Sequence, residues 1–155
     1  MGHRRQRNSE RQDRLYRIYI QDAMATCLDL GGVEKPSHVE FESVLPLVKG
    51  DSSKARKAMY SCYTHHQRMI VKDGVKYIFY PVVGEERLFD LNKDPMEEKN
   101  LAADPAMKSK KDALKTELLG LMKEMNDPLD PADPVGSFKK AFPKGEKGGK
   151  KKKKK

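Results

Sequence analysis

The run QRMIVKDGVKYIFYP, residues 67–81, constrains this chain more than any other. Two stretches rich in Ile, Val, Phe and Tyr flank Asp73-Gly74. A two-residue link of that kind closes a β-hairpin, because both of its positions must accept positive φ. A lone hairpin is marginal in water, so further strands are required. AMYSCYT, from Ala58, can pair with RMIVK, and RLFDL, ending at Leu91, supplies a fourth strand after VKYIFYP. One face of such a sheet still needs a cover. Met107, Leu114, Leu118, Leu121, Met122 and Met125 recur at helical spacing, with Lys and Glu on the other face. Asp104 can cap that helix, Pro105 stands where its missing N–H costs nothing, and Asn126-Asp127-Pro128 ends it.

A shorter helix precedes the sheet. In IQDAMATCLDLGG the residues Ile20, Met24, Cys27, Leu28 and Gly31 share a helical spacing, and Gly31-Gly32 provides the positive-φ stop. VEKPSHVEFESVLPLVKG then reads as a linker with a short alternation at Val39 and Phe41, leaving Glu40 and Glu42 to solvent. The fold class is therefore α+β: a small four-stranded antiparallel sheet with a packed C-terminal helix, preceded by a short helix.

Charge divides the chain further. The net +9 does not belong to the middle. Residues 1–17 carry six Arg against Glu10 and Asp13, and residues 137–155 carry ten Lys against Glu146, so the centre is mildly acidic. The expected organisation is a disordered basic arm over 1–17, a module over 18–130, and a disordered Lys-rich tail over 131–155. DPLDPADPVG, within that last boundary, offers no packing signal.

Few residues point to chemistry. Cys27 and Cys62 form neither a CxxC pair nor a zinc-spaced cluster and read as unpaired thiols. No apolar run approaches the roughly 20 residues of a membrane span. The start MGHRRQRNSE has a positive beginning but no apolar core for a signal peptide, and Gln6 breaks the myristoylation pattern after Gly2. Lys150, Lys151, Lys152, Lys153, Lys154 and Lys155 form a run that can bind polyanions by releasing counterions, without reading sequence. THHQRM groups two imidazoles, an amide and a guanidinium at a strand junction. His65 and His66 are weak as a metal pair, since adjacent strand residues face opposite ways.

Four segments, QDAMATCLDLGGVEKP, SVLPLVKG, QRMIVKDGVKYIFYP and LFDLNKDPMEEKNLAADP, occur in the order found at the C-terminal end of type I sulfatases. From about Gln21 to Asp130 the chain resembles that end of an arylsulfatase or choline-sulfatase-like enzyme of the alkaline phosphatase superfamily. The resemblance implies a small C-terminal subdomain of a sulfuric ester hydrolase whose helix near residues 20–31 packs on a large catalytic domain. It implies that His65, His66, Gln67 and Arg68 border a substrate cleft as anion contacts. It also implies a formylglycine nucleophile and a divalent cation, calcium, in the full-length enzyme.

Departures are equally informative. Met24-Ala25-Thr26 stands where the family has Ala-Pro-Thr. The Cys-x-Pro/Ser-x-Arg segment that yields formylglycine has no counterpart at Cys27 or Cys62, and the acids are scattered over turns and helix faces. The chain is thus expected to hold no cofactor, to be inactive alone, and to work with a separate sulfatase catalytic domain or chain. A non-enzymatic polyanion-binding or nucleic-acid-binding module acting through the lysine tail is the rival reading. The cytoplasm is the default location without an export signal, although the resembled family is often exported.

Overall fold

The computed structural model describes residues 16–143, and the chain divides between Arg56 and Lys57 into two compact units. In the first, helix α1 spans Asp22–Leu30. Its Asp22 side chain accepts a hydrogen bond from the Tyr19 N–H at 2.8 Å, so the helix entry forms without the family's proline. Gly32, at φ 64°, reverses the chain, and the Val33 N–H reaches back to the Leu28 carbonyl at 2.9 Å. The linker expected next contains a one-turn helix, α2, Leu45–Val48, with Pro46 in its first turn. The Thr26 hydroxyl ties the two together, donating to the Asp22 carbonyl at 2.7 Å and accepting from the Val44 N–H at 3.1 Å.

The second unit is built on a four-stranded antiparallel sheet in the order β1-β2-β3-β4: Ala58–Tyr63, Gln67–Lys72, Val75–Tyr80 and Glu85–Asp90. Asp73 and Gly74 have φ of 49° and 75°, as the expected hairpin requires. A Cβ at Gly74 would collide with the Asn92 side chain. Helix α3, Lys108–Glu124, covers one face through Leu114, Leu118 and Met122, which meet Ile70, Val75, Tyr77 and Leu88. Asp104 caps its entry turn by accepting from the Ala106 N–H at 2.9 Å. Val71, Ile78 and Phe89, on the opposite face, are buried too. That is why these strands read as nearly continuous apolar runs rather than as a strict alternation.

The LFDLNKDPMEEKNL stretch is a connector held by its own polar side chains. Asp94 accepts from the N–H groups of Glu98 and Lys99 at 3.1 and 2.9 Å. The Asn100 side-chain oxygen accepts from the N–H groups of Leu88 and Ala102 at 2.9 and 3.0 Å. Asn100 thereby docks the returning chain on β4, and Leu101 follows by donating to the Leu88 carbonyl at 2.8 Å.

Three expectations change. Met125 is exposed rather than part of the α3 stripe. A single module over 18–130 becomes two units meeting at residue 56. The disorder expected from residue 131 does not hold for the described part of that tail: helix α4 spans Pro134–Ala141. Asp133 caps it by accepting from the Gly136 N–H at 3.0 Å, Pro134 occupies its first turn, and Leu129, just before, is buried. The basic arm over 1–15 and the lysines from 144 onward, Lys150–Lys155 included, lie outside the described residues.

Candidate functional site

The His65-containing segment is the turn between β1 and β2, opened by Thr64 at φ 45°. Because His65 and His66 sit in a turn, strand alternation does not separate them as expected. Their ring centroids lie 4.0 Å apart. His66 also stacks on Tyr63 at 6.3 Å, and His65 lies 5.0 Å from Phe138 of α4. The His65 Nδ1 is buried without a hydrogen-bond partner. Burial, then the positive charge of His66, Lys139 and Arg68, lowers its pKa and favours a neutral ring.

Arg68 points the other way, into the unit. Its Nε and Nη2 donate to the two carboxylate oxygens of Asp127 (Nη2 at 2.9 Å), and its Nη1 donates to the carbonyls of Thr64 and Gln67 at 2.6 and 2.8 Å. The Tyr60 hydroxyl donates to the same carboxylate. Burial alone would raise the Asp127 carboxyl, but the hydrogen bonds from Arg68, Tyr60 and the Leu129 N–H outweigh it and hold the pKa below the usual range. Burial and the adjoining carboxylate push the Tyr60 phenol up. The four expected anion contacts are therefore not assembled: His65 and His66 share the turn, Arg68 is committed to Asp127, and Gln67 takes the alternate position on β2. In the sequence Asp127 stands only as part of a helix stop, 59 residues away from Arg68, and nothing local joins the two.

A second feature lies in the first unit. Arg56 donates to both oxygens of the fully buried Asp22 at 2.7 Å and covers the Tyr19 ring, 5.0 Å from its centroid. Phe41 meets Tyr19 edge-on at 5.7 Å. This arrangement turns Asp22 and Ala25 inward and leaves Ile20 and Met24 of the expected apolar set outside, 85% and 53% exposed, with Ile18 before them 51% exposed, while Leu28 is half-buried. Ile18 and Ile20 border an open cleft of about 530 Å³ that reaches Thr26, Cys27 and Val44.

Residues 5–124 match the family model described as N-sulphoglucosamine sulphohydrolase, C-terminal. The chain belongs to this sulfatase C-terminal family. An uncharacterised protein of Haemophilus influenzae is 30% identical over 118 residues, covering 73% of this chain and 60% of its own length. The Delta 4,5-hexuronate-2-O-sulfatase of Bacteroides thetaiotaomicron is 33% identical over 92 residues, which are 54% of this chain but 19% of that enzyme. A structure solved in complex with its substrate D-glucosamine-2-N,6-O-disulfate superposes with TM-score 0.60 at 26% identity, over 69% of this chain and 24% of that one. The chain thus spans about a fifth of that sulfatase and a quarter of that solved chain.

The groups such enzymes use do not fit the residues present. Cys27 and Cys62 are both exposed, and neither has the sequence around it that formylglycine formation needs. Among the described residues no three His, Cys, Asp or Glu side chains converge as a metal site. No helix among them is long and apolar enough to cross a membrane.

Proposed function

We propose that this chain serves as the C-terminal subdomain of a sulfuric ester hydrolase, completing a catalytic domain that carries the formylglycine nucleophile and the divalent cation, calcium. The relatives support a sulfated sugar as the substrate class of the assembled enzyme, since one is named a hexuronate sulfatase and another was solved with a disulfated glucosamine. The observation that carries the reading is the α1 face. A helix whose first aspartate is buried while Met24 on it, and Ile18 and Ile20 just before it, stay exposed leaves an apolar surface ready for something else to cover. Three quarters of the superposed enzyme lies outside the matched part, and a catalytic domain is the partner that share supplies.

The test is complementation. The hexuronate sulfatase relative, shortened by the C-terminal part that this chain matches, is mixed with the full chain, and sulfate release from a sulfated disaccharide is followed. Stimulation by the wild-type chain, absent with the double variant Ile20→Glu, Met24→Glu, is the expected result. No complex and no stimulation, with this catalytic domain or with one encoded beside the chain, would overturn the reading.

A further inference from the structure

We infer that helix α4 is a pH-sensitive latch, seated on the β1–β2 turn while the His65 ring is neutral and lifting from it when that ring takes up a proton. The inference needs no catalytic partner, because every group in it belongs to the sheet unit. Residues 125–143, α4 among them, also lie beyond the family match. The hold on α4 is weak by construction. Eight residues are too few for a helix to persist in water without a seat, and no side chain of α4 is fully buried. Asp133 and Ser137 bind the helix to its own lead-in: the Ser137 hydroxyl donates to the Asp133 carbonyl at 2.7 Å and accepts from the Asp130 N–H at 2.9 Å. Phe138 reaches across to the sheet, packed against its core cluster and 5.0 Å from the His65 ring.

That seat suits a neutral imidazole. The His65 Nδ1 is buried with no hydrogen-bond partner. A neutral ring can leave this nitrogen as a bare acceptor, but an imidazolium must carry an N–H there with nothing to receive it. The groups whose charge acts on the ring are all basic: His66 in the turn, its centroid 4.0 Å away, Lys139 on α4 and Arg68 on β2. Asp127, the carboxylate paired with Arg68, is already taken up by Arg68, Tyr60 and the Leu129 N–H. Burial, then this basic surround, holds the seated ring's pKa below 6.5. The seated state therefore binds fewer protons than the open one. Seating is strongest above pH 6.5 and weakens as pH falls below it. Each pKa unit between the two states is a tenfold change in the seating equilibrium. Glu86 stays ionised through this window, since its carboxyl titrates at about 2, so its contacts with α3 persist while α4 moves.

The experiment follows the full chain by NMR from about pH 8 to about pH 5, the range in which histidine changes charge. The His65 ring signals report its titration. Exchange protection of the Phe142 N–H, which donates to the Phe138 carbonyl at 2.9 Å, reports the order of α4. Protection, corrected for the intrinsic pH dependence of exchange, should fall about 10-fold or more along the His65 titration. The His65–Phe138 ring contact should vanish with it, while the signals of Leu88 and Leu118 stay in place. His65→Phe should keep α4 seated across the range, and Lys139→Gln, at an exposed position, should move the release to lower pH. Phe138→Ala should loosen α4 at every pH and, reciprocally, raise the His65 pKa toward its ordinary value. Three results would overturn the latch: α4 order that ignores the His65 titration, release from His65→Phe at the wild-type pH, or a His65 pKa that Phe138→Ala leaves unmoved.

Discussion

Both units contain a bidentate arginine–aspartate pair, and they use it to opposite ends. In the sheet unit Arg68 and Asp127 are both almost wholly buried, beside a core of Ile70, Tyr77, Leu88, Leu114 and Leu118. The pair there closes one end of a core that is already apolar. In the first unit Asp22 is fully buried but Arg56 is a quarter exposed, and the large apolar side chains of the helix it organises face outward. Here the polar pair itself sets the helix entry, and apolar burial is deferred. The same contact therefore marks self-sufficiency in one unit and an unfilled surface in the other.

The comparison breaks most visibly at Asp127. Asp127→Ala leaves the buried Arg68 guanidinium without its carboxylate and takes one acceptor from the Tyr60 hydroxyl. Loss of one member of a buried pair costs about 3–5 kcal/mol, so the urea midpoint of the sheet unit should fall steeply. A change below about 1 kcal/mol would show that the pair is reached by water and that the contrast with Asp22 is false.

Acid tests the same unit at another place. Burial alone would raise Glu86, but hydrogen bonds from Lys115, Tyr77 and Lys111 carry it down to about 2. A carboxyl depressed in the folded state binds fewer protons there than in the unfolded chain. Its stabilisation is complete above the ordinary carboxyl range and is lost as pH falls from about 4.5 toward 2. The shift corresponds to about 3 kcal/mol. Glu86→Gln should remove that part of the pH dependence while leaving the protein folded near neutrality. An unchanged acid limb in equilibrium unfolding would assign the loss to other carboxyls.

How far the sequence foretold this depends on whether the deciding partners are near in the chain. Asp73-Gly74, the Asp104-Pro105 start and the spacing of Leu114, Leu118 and Met122 are local signals, and each element stands where it was expected. Asp133-Pro134 is the same start signal as Asp104-Pro105, yet its eight-residue helix ends in lysines and merges in composition with the tail. Its anchor, Phe138 on His65, is a contact across 73 residues that no periodicity announces. The α1 face shows the reverse error of inference. Of the expected stripe Ile20, Met24, Cys27, Leu28 and Gly31, the helix holds Met24, Cys27 and Leu28 while Ile20 precedes it, and a stripe does not say whether this chain covers it.

Asp22 should matter less than Asp127. Asp22→Ala removes two acceptors from Arg56 and one from the Tyr19 N–H, but Arg56 can turn to water. About 1–3 kcal/mol is expected, read as faster amide hydrogen exchange across α1 and α2. A loss as large as that of Asp127→Ala would mean that the first unit is as dependent on a buried pair as the second.

The smallest expected effect on stability separates the two units most sharply. Ile20→Glu alters a side chain that is 85% exposed, so the change should stay within about 0.5 kcal/mol. Leu118→Ala, the matching apolar loss in the sheet unit, should cost about 2–5 kcal/mol. If Ile20 is a surface held for a catalytic domain, the glutamate leaves the isolated chain untouched and weakens the complex by an order of magnitude or more, through burial of a charge at the contact. Equal denaturation midpoints with unequal complex formation are the signature of such a surface. A destabilised chain instead would place Ile20 within this chain's own packing, and the division between a filled unit and an open one would no longer hold.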